Sequence, residues 1–124
     1  MVWLAVAAGG AIGTLARHGV NMMFAHLFAR AVPYATAAVN IAGSLVIGFL
    51  AGRIAAGRLE MDQPVRAFVF VGVLGGFTTF SSFMLDTLVL ATGGDRTLAF
   101  ANVAGQTFLG LLTVYLGYQL GVLR

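Results

Sequence analysis

Long apolar stretches separated by short polar connections are the dominant pattern of this chain. A helix needs about 20 apolar residues to cross the hydrocarbon core of a bilayer. Four segments reach that length, at residues 2–28, 34–54, 66–90 and 97–122. Pro33 and Pro64 lie beside the connections, where proline suits a helix start, and Gly93, Gly94 and Asp95 are typical of a turn with a helix cap. The pattern predicts an all-α integral membrane protein in which all 124 residues form a single four-helix transmembrane domain.

The third segment contains a stretch that a plain lipid-facing helix would not need. Residues 72–86 hold three glycines, four hydroxyl side chains and three phenylalanines. Adjacent glycines at Gly75 and Gly76 loosen a helix, and the hydroxyls of Thr78 and Thr79 compete with its hydrogen bonds. Unwound backbone at membrane depth is tolerated only where protein or water surrounds it. We therefore predict a break near the middle of the third helix and expect the functional site there.

Composition narrows the class of protein. The chain is 60% hydrophobic and 9% charged, far from the averages of soluble proteins. Its net charge is only +3 and its basic residues are scattered arginines, which argues against a nucleic-acid partner. The absence of cysteine excludes disulfides and thiolate metal sites. No basic region precedes the first apolar stretch, so a retained first helix is expected rather than a cleaved signal peptide.

Small residues recur at helical spacing, which lets helices approach closely in lipid. The rows are Gly9 with Gly13, Ser44 with Gly48 and Gly52, and Thr113 with Gly117 and Gly121. The alternative is that some of these glycines only reflect the high glycine content of membrane helices.

The arginines give a weak orientation signal. Four crossings place both termini and the second loop on one side of the membrane. That side holds Arg53, Arg58, Arg66 and Arg124, and the opposite side holds Arg30 and Arg96. So small a bias permits insertion in both orientations. Because four helices cannot easily enclose a polar path, we expect an antiparallel homodimer related by an in-plane two-fold axis.

Uncharged polar residues mark the second and fourth helices. Asn40, with Ser44 one turn further along the same face, either joins two helices or offers its amide donors to an anion. Asn102 and Gln106 lie four residues apart, and Gly110 continues their stripe. These residues form either a narrow polar track or a helix-pairing surface.

Two faces of the third helix carry different chemistry. Thr79, Ser82 and Asp86 share one face, and Phe77, Phe80 and Phe83 share another. A phenylalanine stripe usually packs a core, but the positive edges of aromatic rings can also stabilise an anion without a fixed charge. Asp86 lies near the end of the span, where we expect its carboxylate to stay hydrated.

The first helix carries an arginine and two histidines, and the arginine allows two interpretations. Arg17 either anchors and packs the helix or draws ions into a vestibule. His18 and His26 have no acid or second histidine at ligand spacing, so interfacial packing is expected for both. No serine stands beside an activating histidine and no carboxylates are paired, so enzyme activity is not expected.

Three motifs of this chain resemble those of the CrcB or Fluc family of small fluoride channels. They are GGAIG at 9–13 followed by Arg17, AVNIAGS at 38–44 followed by Gly48, and GGFTTFSSF at 75–83. The resemblance covers nearly the whole chain. It implies passive, selective export of fluoride across a bacterial inner membrane by an antiparallel, dual-topology homodimer with two pores, each lined by both subunits.

The resemblance also implies site residues. The pore and anion-binding residues expected from it and from the polar pattern are Asn40, Thr79, Phe80, Ser81, Ser82, Phe83, Asn102 and Gln106. Arg17 and Asp86 are expected in vestibules, and the main-chain carbonyls of Gly75 and Thr78 are expected to bind a structural Na⁺ on the dimer axis.

The chain departs from the family at three of these positions and at His18. The family often has glutamate at Asp86, tyrosine at Asn102, serine at Gln106 and tyrosine at His18. We therefore expect a pore width, ion positions and local packing that differ from the family pattern. Two rival functions are a small dual-topology multidrug exporter, which needs a carboxylate that the first helix lacks, and a non-transporting assembly subunit. A heterodimer with a paralogous chain is the alternative to the homodimer.

Overall fold

The computed structural model describes residues 1–29 and 32–123, and over this part of the chain the fold is entirely helical. The helices are α1 (Val2–Leu27), α2 (Val32–Ala55), α3 (63–77), α4 (Phe80–Thr92) and α5 (Arg96–Leu123). The all-α prediction is therefore confirmed. Arg30 and Arg124, which enter the arginine count for the loops, lie outside the described residues.

Two carboxylates define helix starts. Asp62 precedes α3 and its Oδ1 accepts a hydrogen bond of 3.0 Å from the Val65 amide, with proline in the first turn. Asp95 precedes α5 and its Oδ1 accepts from the Leu98 amide at 3.0 Å. Gly94 before it has φ +92°, a left-handed conformation that favours glycine. The turn predicted between the last two spans is present.

Three stretches of the described chain are long and apolar enough to cross a membrane. They are Pro33–Ala55, Gln63–Thr92 and Arg96–Leu123, the second of which combines α3 and α4. Helix α1 has 26 residues, which is long enough to cross a membrane. Arg17 and His18 make it less apolar than the three stretches above, so it is not among them. A fourth crossing by α1 stays a prediction.

Close helix contacts occur where the small-residue rows predict them. Helix α1 packs along α3, and α2 packs along α5. A Cβ atom added to Gly13 would overlap the main-chain oxygen of Val73, and one added to Gly117 would overlap that of Leu45. In both cases the obstacle is backbone, which cannot move aside as a flexible side chain can. These glycines therefore allow direct contact between helix backbones.

The third span is interrupted at Thr78 and Thr79, which are both extended. The type of helix changes before the break. Residues Ala67–Leu74 form a π-helix, and Gly75–Phe77 form a turn of α-helix. The glycine pair itself is thus helical, and the interruption falls on the threonines that follow. Both the amide and the hydroxyl of Thr78 donate to the Leu74 oxygen, at 3.0 and 2.9 Å, and this closes the last turn of α3.

Candidate functional site at the break in the third span

Asn40 of α2 holds the extended backbone at Thr79. Its Oδ1 accepts from the Thr79 amide at 2.8 Å, and its Nδ2 donates to the Thr79 carbonyl at 3.0 Å. This pair of bonds determines which way the Asn40 amide faces. In the reverse orientation its NH₂ group would face the Thr79 amide and its oxygen would face the Thr79 carbonyl, so neither bond could form. The amide released by the break is thereby satisfied from a neighbouring helix, and the carbonyl that begins α4 gains a second partner.

A chain of hydrogen bonds continues from Asn40 across the bundle. Its Nδ2 also donates to Gln106 Oε1 at 3.0 Å, and Gln106 Nε2 donates to Asn102 Oδ1 at 2.9 Å. Asn102 Nδ2 then donates to Thr87 Oγ1 at 3.0 Å, and Thr87 donates to the Phe83 carbonyl at 2.8 Å. We call this series of hydrogen bonds the amide relay. It joins α2, α5 and α4. The stripe predicted from Asn102 and Gln106 is therefore buried and linked directly to the break.

The break leaves helix ends with opposite partial charges inside the span. Thr79 caps α4: its Oγ1 accepts from the Ser82 amide at 3.3 Å and donates to Ser82 Oγ at 3.0 Å. The amides of Phe80 and Ser81, at the start of α4, have no helical carbonyl one turn earlier to receive them. Amides without a helical acceptor at the start of a helix favour an anion.

At the other side of the break, carbonyl groups at the end of α3 lose their helical donors. The Gly75 carbonyl would accept from the Thr79 amide in a continuous helix, but that amide donates to Asn40. The Thr78 carbonyl accepts a hydrogen bond from Arg17 Nη1 at 3.3 Å. The end of α3 thus has the partial negative charge that attracts a cation, and Arg17 of α1 supplies one.

A cavity of about 370 Å³ opens beside the break. It is lined by Asn40, Gly43, Ser44, Ile47, Phe70, Leu74, Gly75, Thr78, Thr79, Phe80 and Phe83. Phe83 is 7% exposed, whereas Phe80 is 73% exposed. Their rings are 6.0 Å apart at 77°, in an edge-to-face arrangement. The lining combines hydroxyl and amide groups with aromatic and aliphatic side chains, and the described residues that form it include no charged side chain.

The structure brings six of the predicted site residues to this cavity and places the others around it. Those on the cavity are Asn40, Gly75, Thr78, Thr79, Phe80 and Phe83. Asn102 and Gln106 reach it through the amide relay, and Ser82 lies behind Thr79 at the start of α4. Ser81 is exposed, without a hydrogen bond among the described residues.

Asp86 differs from the expectation of a hydrated carboxylate. It is 7% exposed, and its Oδ2 accepts a hydrogen bond of 2.6 Å from Thr36 Oγ1 of α2. The expectation treated the third helix by itself, whereas α2 covers this part of α4.

Three hydroxyl residues belong to the site although they were not among the predicted site residues; of these, only Ser44 was noted in the sequence, on the face of Asn40. Thr36 and Ser44 lie four residues before and after Asn40, so their spacing on one helical face was an available signal. Ser44 Oγ donates to the Asn40 carbonyl at 2.7 Å. Thr87 joins the relay from α4, and no spacing in the chain predicts its contact with Asn102.

Comparison with known proteins identifies the family. Residues 4–118 match the family described as "CrcB-like protein, Camphor Resistance (CrcB)". The chain belongs to the CrcB family.

Several relatives are similar to this member over nearly their whole length. A protein of Aeromonas salmonicida named fluoride-specific ion channel FluC is 44% identical over 118 residues, covering 95% of this chain and 94% of the relative. FluC 2 of Nitrobacter hamburgensis is 42% identical over 120 residues, with 97% and 96% covered. A FluC of Thermus thermophilus is 43% identical over 119 residues, with 96% and 92% covered. Membership of this family and the long apolar helices make the chain a multi-pass membrane protein.

Proposed function

We propose that this CrcB protein is a passive, selective fluoride channel and not an enzyme, and that it lowers cytoplasmic fluoride by letting the ion flow out. The observation that carries the proposal is the cavity beside the break, whose described lining contains hydroxyl, amide and aromatic groups and no charged side chain. The relatives named fluoride-specific ion channels support the choice of ion.

Such a lining suits fluoride conduction for two reasons. Fluoride is small and strongly hydrated, so a pore must replace its water with several donors. The ion must also leave, and a buried fixed positive charge would hold it too firmly. The amides of Phe80 and Ser81 at the start of α4, the hydroxyls of Ser81 and Ser82, and the ring edges of Phe80 and Phe83 would attract an anion moderately. A narrow arrangement of these groups would exclude the larger chloride.

The pore is proposed to run along the polar residues that surround the break. They are Asn40, Thr79, Phe80, Ser81, Ser82, Phe83, Asn102 and Gln106, with Arg17 and Asp86 next to the vestibules. Asp86 is buried against Thr36, so its carboxylate would not line a vestibule directly. Ser44, on the cavity wall, is added to this set.

A second copy of the chain is proposed to close this pore. Phe80 is 73% exposed on a single chain, although it belongs to the cavity wall, and Gly75 beside it is also exposed. Four crossings by each of two oppositely inserted copies would cover this face and give two equivalent pores, in a bacterial inner membrane. The small arginine bias is consistent with insertion in both orientations.

Sodium is proposed as a structural ion at the dimer axis, held by the main-chain carbonyls of Gly75 and Thr78 from both copies. The Gly75 carbonyl fits this role because the helical donor it would have is bound to Asn40. The Thr78 carbonyl accepts from Arg17 at 3.3 Å, a long bond that a sodium ion would replace. The ion would supply positive charge between the ends of two α3 helices.

Fluoride efflux from proteoliposomes, followed with a fluoride electrode, tests the proposed function. We expect the purified protein to release trapped fluoride and to retain trapped chloride. Equal release of both ions, or no fluoride release, would contradict selective conduction.

Cysteine labelling tests the proposed topology, because the natural chain has no cysteine. A single cysteine introduced near the N-terminus should be modified partly from each side of the membrane. Modification from one side only would exclude dual insertion by this chain and favour a partner of opposite orientation.

A further inference from the structure

The side-chain amide of Asn40 has no N–H left for an anion in the structure described. One N–H donates to the Thr79 carbonyl and the other to Gln106 Oε1, both at 3.0 Å. The bond to Thr79 is paired with the 2.8 Å bond from the Thr79 amide, so it is part of what holds the break. The N–H that faces Gln106 is therefore the one that can be released without undoing the break.

Gln106 is kept in place as an acceptor by the rest of the amide relay. Its Nε2 donates to Asn102 Oδ1 at 2.9 Å, which turns its Oε1 toward Asn40. Asn102 is in turn oriented by its 3.0 Å bond to Thr87. Gln106 and Asn102 are both buried, so water does not readily compete for these bonds.

From this geometry we propose that Gln106 is a positioning residue that competes with the transported anion for one N–H of Asn40. The inference rests on the proposed function. When an anion reaches Asn40, it takes the N–H and Gln106 Oε1 moves away; when the anion leaves, Oε1 returns. The side-chain oxygen of Gln106 thus accepts the Asn40 hydrogen bond whenever no anion is bound there.

This exchange accounts for two requirements of conduction. The ion-free pore avoids a buried donor without a partner, which would be costly in lipid. Each bound anion also has to displace an existing hydrogen bond, so its net binding is weakened and its exit is easier.

Replacing Gln106 with methionine removes the acceptor and keeps a side chain of similar length. We expect the Gln106→Met variant to bind fluoride about fivefold more tightly, the factor that corresponds to one ordinary amide hydrogen bond. Gln119→Met is the matched control, because Gln119 lies on the same helix and forms no hydrogen bond within the described residues. The control should bind fluoride with the affinity of the natural protein.

Binding can be measured by titrating ¹⁵N-labelled protein with sodium fluoride and following the side-chain amide signals. The chain has only three asparagines and three glutamines, so six such groups appear. In the natural protein the signals of Asn40 and Gln106 should shift together, with one midpoint, while sodium chloride leaves both unchanged. This arm decides the proposal even if Gln106→Met fails to fold.

Several results would overturn the inference while the channel stands. Unchanged or weaker fluoride binding in Gln106→Met would show that Gln106 does not compete with the ion. A shift of the Asn40 signals without a shift of Gln106 would show that the two amides stay joined, and a shift of neither would place the ion elsewhere. Absence of fluoride efflux from the natural protein would reject the proposed function itself, and this inference with it.

Discussion

Substituting Asn40 with leucine tests whether one side chain of α2 holds the break in the third span. Leucine has nearly the same shape but forms no hydrogen bonds, so the change removes the bonds of 2.8, 3.0 and 3.0 Å that Asn40 makes to Thr79 and Gln106. The amide and carbonyl of Thr79 and the Oε1 of Gln106 then lose their partner. The Thr79 amide has no helical acceptor to replace Asn40, because the break separates it from α3, whereas the Thr79 carbonyl keeps the first intrahelical bond of α4.

The expected loss of stability follows from these three bonds. An ordinary hydrogen bond contributes about 1 kcal/mol net, and an unsatisfied buried group costs about 1–3 kcal/mol. Since the contacts are only partly buried in one chain, we take values near the lower end and expect a loss of about 3–5 kcal/mol. That corresponds to a factor of roughly 10² to 10³ or more in the folding equilibrium.

The assay is equilibrium unfolding of the protein in detergent micelles, with Asn21→Leu as the control. Asn21 is exposed on α1 and has no hydrogen bond within the described residues, so its replacement should change stability by less than about 0.5 kcal/mol. Fluoride efflux should be lost in Asn40→Leu and kept in Asn21→Leu. If Asn40→Leu were as stable as the control, the break would not depend on Asn40 and the reasoning would be refuted.

Three further predictions concern the pore, the helix packing and the sodium ion. Replacing Phe80 or Phe83 with isoleucine removes the ring edges but keeps an apolar side chain. Fluoride efflux should fall to the background of empty liposomes, while size-exclusion chromatography shows an unchanged dimer. Undiminished efflux would reject the role of these two rings in the pore. Gly13→Ala should destabilise the protein by about 1–3 kcal/mol, because the new methyl group meets the backbone of α3. The control Gly10→Ala lies on the same helix, where the methyl group meets nothing within 4 Å, and should be neutral or slightly stabilising. Equal melting temperatures of the two variants would contradict the packing of α1 against α3. Replacing sodium with N-methylglucamine should lower the melting temperature of the dimer and slow fluoride efflux, and identical behaviour in the two buffers would argue against a sodium site formed by Gly75.

The length of the apolar segments indicated where the helices lie, because bilayer thickness constrains helix length directly. The first helix ends at Leu27, one residue before the predicted end, and the last begins at Arg96, one residue before the predicted start. The turn with Asp95 as cap was also predictable, since glycine and a capping carboxylate are local signals.

Contacts that join distant parts of the chain could not be predicted in this way. The break was expected within the glycine pair and the two threonines that follow it, and it is found at Thr78 and Thr79. Its exact position depends on Asn40, 39 residues earlier in the chain than Thr79. The polar stripe of the last helix was recognised, but its partner Thr87 belongs to another helix and no local spacing reveals the pair. Tertiary hydrogen bonds of this kind depend on how the helices are rotated against one another.

The most direct test of selective, passive fluoride conduction is the reversal potential in a planar lipid bilayer with a tenfold fluoride gradient and equal chloride on both sides. A channel selective for fluoride should reverse at about 59 mV in magnitude, the value for a tenfold gradient of a singly charged ion. It should not shift when a proton gradient is added. A reversal potential near zero, or one that follows chloride or protons, would contradict the proposal that uncharged groups at the interrupted third span select fluoride.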